Sequence, residues 1–102
     1  MAFTRIASRN ELPAPDEARE FTNGEKIICV ANVNGVFSAM DNVCLHRGGP
    51  LGQGVVDSGM IVCPWHGWQY DPQTGATVHN PAVKTKVYPL RIEGDDVLVD
   101  LS

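Results

Sequence analysis

No apolar run in this chain approaches the roughly 20 residues of a membrane-spanning helix, so it is expected to work away from the bilayer. Basic residues are also scarce. Eight Lys and Arg stand against twelve Asp and Glu, a net charge of −4, and without a basic stripe to neutralise phosphates nucleic acid is excluded as a partner. Basic patches on partner proteins would suit it better. The opening Met1-Ala2-Phe3-Thr4-Arg5 has neither an apolar run behind basic residues nor paired arginines, and a cytoplasmic location is the expectation. Cysteine is limited to three positions. A disulfide framework would leave one of them over, and in a cytoplasmic chain such cysteines point to metal or redox chemistry. With 102 residues there is no room for a second folding unit with a core of its own, so residues 1–102 are read as a single domain. A hydrophobic share of 43% with 20% charged residues excludes a disordered tail.

Turn chemistry, by contrast, is plentiful. Asn23-Gly24, Asn34-Gly35, Ser58-Gly59, Thr74-Gly75 and Glu93-Gly94 punctuate the chain at the short intervals of an all-β sandwich or barrel. Between them lie β-prone runs at Ile27 to Val33, Val36 to Met40, Met60 to Cys63, Lys84 to Tyr88 and Val97 to Leu101, none long enough for a helical period. The run Ile27-Ile28-Cys29-Val30-Ala31 is read as buried on both faces. Two segments break the rhythm. Glu11 to Glu17, with Pro13 and Pro15, reads as a plain surface loop. Leu45 to Gly54, with four glycines and Pro50, follows a cysteine and contains a histidine, which fits a loop shaped around something.

Cys44-Leu45-His46 is followed after sixteen residues by Cys63-Pro64-Trp65-His66. Each of two loops, joined by a hairpin turning at Ser58-Gly59, thus supplies one thiolate and one imidazole. A zinc finger usually takes a cysteine pair from one segment and a histidine pair from another. The mixed order suits a two-metal site in which Cys44 and Cys63 bind one iron and His46 and His66 the other, so that both loops grip one core. Gly48-Gly49 and Gly67 close the loops, and glycine lets backbone N–H groups come near sulfur.

These residues resemble the Rieske iron–sulfur family, whose signature is Cys-x-His, a gap of this length, and Cys-x-x-His. Cys44-Leu45-His46-Arg47-Gly48-Gly49-Pro50-Leu51 and Cys63-Pro64-Trp65-His66-Gly67-Trp68-Gln69-Tyr70-Asp71 are similar to its two cluster loops, and Asn80-Pro81-Ala82 to its proline loop. The resemblance implies one [2Fe–2S] cluster per chain held by Cys44, His46, Cys63 and His66. It also implies an all-β fold, a two-sheet antiparallel sandwich or incomplete barrel with a small cluster-binding subdomain over about residues 43–71. Within the family the chain is similar to the small ferredoxins of ring-hydroxylating dioxygenase systems. Gly49 and Trp65 stand where the respiratory type has a second pair of cysteines, and Trp68 stands where it has a serine donor, while Tyr70 matches its tyrosine donor. Losing one hydroxyl donor should lower the potential within the Rieske range of roughly −150 to +300 mV.

The resemblance therefore implies a one-electron carrier rather than an enzyme. It would pass electrons from a flavin-dependent ferredoxin reductase to a terminal oxygenase, docking transiently through Leu45, Arg47, Trp65 and Pro81. The Rieske domain of oxygenase large subunits is similar too. Those enzymes need a mononuclear iron held by two histidines and a carboxylate, and after His46 and His66 only His79 remains. The alternative is a fixed Rieske subunit of a reductase such as assimilatory nitrite reductase. Cys29 reads as a small buried hydrophobe, His79 as a loop histidine, Trp68 as core at the cluster base, and Glu93-Gly94-Asp95-Asp96 as ordinary hairpin chemistry.

Overall fold

A computed structural model describes residues 3–45, 48–65 and 67–101. It contains ten strands among the described residues, and every ladder pair is antiparallel. They are β1 (Phe3–Ser8), β2 (Glu17–Asn23), β3 (Lys26–Val33), β4 (Val36–Asp41), β5 (Val55–Asp57), β6 (Met60–Val62), β7 (Gln69–Tyr70), β8 (Val87–Tyr88), β9 (Leu90–Glu93) and β10 (Asp96–Asp100). A three-stranded sheet runs β1-β10-β9 and a seven-stranded sheet runs β7-β6-β5-β2-β3-β4-β8. Isolated bridges Tyr70↔Thr77 and Ala76↔Lys84 extend the pairing from β7 into the segment that leads to β8. The large sheet therefore curls toward closure without completing it, and the all-β, two-sheet expectation holds.

The organising element is β3. Its side chains alternate between two apolar cores, because successive Cβ atoms point to opposite faces of a strand. Cys29 and Ala31 pack with Met40, Cys44, Leu51, Ile61, Cys63 and Tyr70. Ile28 and Val30 pack on the other side with Phe21, Tyr88, Val97 and Val99. Burial of each large side chain contributes about 1.5–3 kcal/mol. The two-sided burial expected of this run holds from Ile28 to Ala31, whereas Ile27 at its start is 45% exposed.

Other expectations need correction. Of Lys84 to Tyr88 only Val87–Tyr88 forms a strand. The Glu11 to Glu17 segment is no plain surface loop, since Pro13 is buried and its carbonyl accepts from Asn32 Nδ2 at 2.9 Å. Strands β1, β2 and β9 carry mixed polar and apolar residues and have no counterpart in the sequence reading. The turn at Ser58-Gly59 does join β5 to β6, with Asp57 opposite Met60 and positive φ at both turn residues. Glu93 likewise faces Asp96 across the hairpin turn of the small sheet.

Gly54, at the entrance to β5, allows the hairpin to close. A Cβ there would lie 1.9 Å from the Val62 carbonyl oxygen, and backbone cannot yield as a flexible side chain can. Gly54→Ala is expected to cost about 3 kcal/mol or more in urea unfolding. A loss under about 1 kcal/mol would show that the hairpin is not held this tightly.

Candidate metal centre

The two cysteine loops share one backbone conformation. In the first, Cys44 N–H donates to the Gly49 carbonyl and Gly48 N–H donates back to the Cys44 carbonyl, both at 2.8 Å. In the second, Cys63 N–H donates to the Trp68 carbonyl at 2.8 Å and Gly67 N–H to the Cys63 carbonyl at 3.0 Å. Gly48 and Gly67, each four residues beyond its cysteine, have φ of 74° and 75°, a left-handed conformation that a Cβ would strain. β4 leads into the first loop, and β6 and β7 flank the second.

Both thiols are 2% exposed and belong to one apolar cluster. Gly49 sets how closely the loops approach: a Cβ on it would lie 2.7 Å from Cys63 Sγ and 3.1 Å from the Trp65 ring. No disulfide links the cysteines among the described residues. Tyr70, fully buried on β7, brings its hydroxyl 3.3 Å from Cys44 Sγ, and that oxygen accepts the Leu45 N–H at 2.9 Å. A sulfur that has given up its proton to bind metal can only accept, so with Cys44 as a ligand the hydroxyl is the donor. Burial first, then the hydrogen bond to Cys44, holds the phenol well above its usual range, so it remains a donor.

This donor set fits an iron–sulfur core. Two dry thiols from matching loops belong to one apolar cluster, a hydroxyl stands beside one sulfur, and Gly49 keeps a Cβ away from the other. His46, His66 and Arg47 lie outside the described residues. Trp68 is half-buried against the thiol-bearing cluster, as expected of a core residue, and places no hydroxyl where the respiratory type has serine. Cys29 is wholly buried, and its thiol is pushed up to about 12 by burial and, after that, by the charge of Glu20. It is the inert hydrophobe the sequence implied.

The exposed rim takes in Leu45 at 46% and Trp65 at 57%. Pro81 is exposed as well, on a loop tied down by Thr77. That residue's hydroxyl donates to the Asn80 carbonyl at 2.7 Å, and the Asn80 side chain accepts from Ala82 N–H at 3.2 Å. His79, a loop residue as expected, meets Trp68 edge-on with ring centroids 6.2 Å apart, which joins the proline loop to the second cysteine loop. The acidic turn belongs to the other sheet, where Asp96 pairs with Arg5 and Glu93 with Arg91.

Sequence reasoning missed the supports of the first loop. Asn42, 5% exposed, accepts Gly52 N–H on Oδ1 at 2.7 Å and donates from Nδ2 to Glu20 at 2.5 Å. The only signal available was a polar residue close before Cys44 together with a glycine at position 52.

Gly49→Ala should lower cluster content per chain severalfold, because its Cβ would meet Cys63 Sγ. Iron and sulfide analysis at wild-type level would show that the loops can part. Tyr70→Phe strips the sulfur of its donor and leaves the Leu45 amide without its acceptor. It should lower the midpoint potential and cost about 1–2 kcal/mol of stability; an unchanged potential would contradict the donor role.

A family model described as Rieske [2Fe-2S] domain matches residues 2–90. The chain is 37% identical over 102 residues to the ferredoxin component of biphenyl 2,3-dioxygenase from Rhodococcus jostii (strain RHA1), covering 99% of this chain and 94% of that protein. It is 36% identical over 104 residues to the biphenyl dioxygenase ferredoxin subunit of Pseudomonas sp. (strain KKS102), covering 100% and 94%. Among solved structures, the ferredoxin of Sphingomonas yanoikuyae B1 superposes with a TM-score of 0.86 at 29% identity, covering 99% of this chain and 100% of that one. The match between the two loops and the extent of these similarities lead to one assignment: the chain belongs to the Rieske [2Fe-2S] domain family, whose cofactor is a [2Fe–2S] cluster.

Proposed function

We propose that residues 1–102 work as one domain whose [2Fe–2S] cluster is ligated by Cys44, His46, Cys63 and His66 within a subdomain over about residues 43–71. The chain carries one electron at a time from a flavin-dependent reductase to a terminal ring-hydroxylating oxygenase. The observation that carries this reading is the pair of equivalent loops with buried cysteines, in a chain similar along its length to ferredoxin components of dioxygenase systems. When bound, the cluster supplies a one-electron couple. The chain's own residues do the rest. Cys44 and Cys63 hold their sulfurs away from water, Tyr70 places a hydroxyl beside one of them, and Gly49 keeps a Cβ clear of the other.

Transfer needs a contact that forms and breaks. Leu45 and Trp65, apolar and half exposed, suit the centre of a small transient interface, with Pro81 and Arg47 at its rim. Full-length similarity to ferredoxin components, 94% of each relative being covered, supports a carrier. No described helix is long and apolar enough to cross a membrane. A cytoplasmic setting suits the role because it keeps cysteine thiols from pairing.

Stopped-flow mixing of the reduced chain with an oxidised ring-hydroxylating oxygenase tests this. The expected result is one electron passed per chain. Trp65→Ala should retain its cluster while lowering the second-order rate constant about tenfold. Absence of transfer to any oxygenase, together with stable co-elution with a reductase subunit on gel filtration, would overturn the carrier reading.

A further inference from the structure

Behind the first cysteine loop lies a carboxylate to which the ligand set gives no role. Glu20 is half-buried on β2, directly opposite Cys29 of β3. Paired residues share a face of the sheet, so Glu20 stands on the side that carries Cys29, Cys44 and Cys63. Its oxygens are met by neutral amides: Asn42 Nδ2 donates to Oε2 at 2.5 Å and Gln53 Nε2 to Oε1 at 3.1 Å. Among the described residues no ion pair includes Glu20, so there its charge is hydrogen-bonded but not neutralised.

The network also fixes where the charge sits. Asn42 is buried two residues before Cys44, its Oδ1 accepts Gly52 N–H and its carbonyl accepts Leu51 N–H, both at 2.7 Å. Gly52 packs so closely that a Cβ would lie 2.4 Å from Glu20 Cγ. The carboxylate is thus pinned against the base of the loop that bears Cys44. Its field already reaches the shared core, where it adds to burial in disfavouring the Cys29 thiolate. Glu20 is only half-buried, but on its core side, where Cys29 is wholly buried, a fixed charge is felt over longer distances than in water.

We propose that Glu20 lowers the reduction potential of the cluster, acting as a fixed negative charge held behind the first cysteine loop by Asn42 and Gln53. Two ferric ions, two sulfides and two thiolates make a neutral oxidised site, and reduction adds one electron and one negative charge. No bond forms or breaks, and the electron comes from the reductase or, in a titration, from dithionite. A carboxylate facing the same core opposes that added charge. The inference rests on the proposed cluster, whose presence the visible spectrum and iron content of the wild-type chain check separately and whose place the loss of both in Cys44→Ser checks.

Glu20→Gln removes the charge and keeps an acceptor for Asn42, while the exposed Gln53 is free to turn its amide. Gln53→Lys instead sets an ammonium beside the intact carboxylate. Redox titration at low salt should show both variants shifted toward the reduced form, Glu20→Gln by about threefold or more in the one-electron equilibrium, where tenfold corresponds to about 59 mV. Hydrogen exchange at the Leu51 and Gly52 amides should stay at wild-type level, and Glu93→Gln on the other sheet should leave the potential alone. Should Glu20→Gln fail to fold, Gln53→Lys decides. Cluster-loaded variants with wild-type potentials, or an equal shift in Glu93→Gln, would overturn the inference while leaving the cluster assignment in place.

Discussion

Antiparallel pairing of β5 with β6 determines how far apart the two cysteine loops can lie. The hairpin turns within two residues, Ser58 and Gly59, both in left-handed conformations, and this leaves no slack between its arms. One arm begins just after the first loop and the other runs straight into Cys63. Register matters as much as length, because a slip by one residue would turn Ile61 out of the core and redirect Cys63. Gly54 and Gly49, where a side chain would strike backbone or sulfur, are the points at which the sequence yields space to that geometry.

The large sheet converts this hairpin into a dry site. β3 fills a core on each face, so the thiols sit over a layer already packed from behind by Val30, Val97 and Val99. Burial disfavours charge, yet a neutral oxidised cluster incurs little of that penalty. What remains is the single charge added on reduction. Among the described residues the Tyr70 hydroxyl stands beside Cys44 Sγ, and the Glu20–Asn42 pair lies behind the first loop.

Much of this was legible in the residues themselves. Cys44, Cys63 and their glycines announced two loops, and the Asn-Gly and Ser-Gly pairs announced the turns, because left-handed backbone admits few residue types. Tyr70 was readable from its place after the second loop. β2 was not, since Glu17–Asn23 buries only Phe21 and shows no clean alternation. Nor was the packing of Pro13, which depends on Asn32, a residue distant in sequence. Glu20 and Asn42 escaped for the same reason: a polar side chain reads as solvated until the fold shows what it bonds. His46 and His66, outside the described residues, are legible from the loop order, their spacing and the family signature.

Electron–nuclear spectroscopy of the dithionite-reduced, anaerobically purified chain tests the central claim most directly, because it detects nitrogen bound to the paramagnetic cluster. The account predicts a [2Fe–2S] signal coupled to two imidazole nitrogens, from His46 and His66. A paramagnetic cluster without nitrogen coupling, or a chain holding stoichiometric zinc and no cluster, would contradict it.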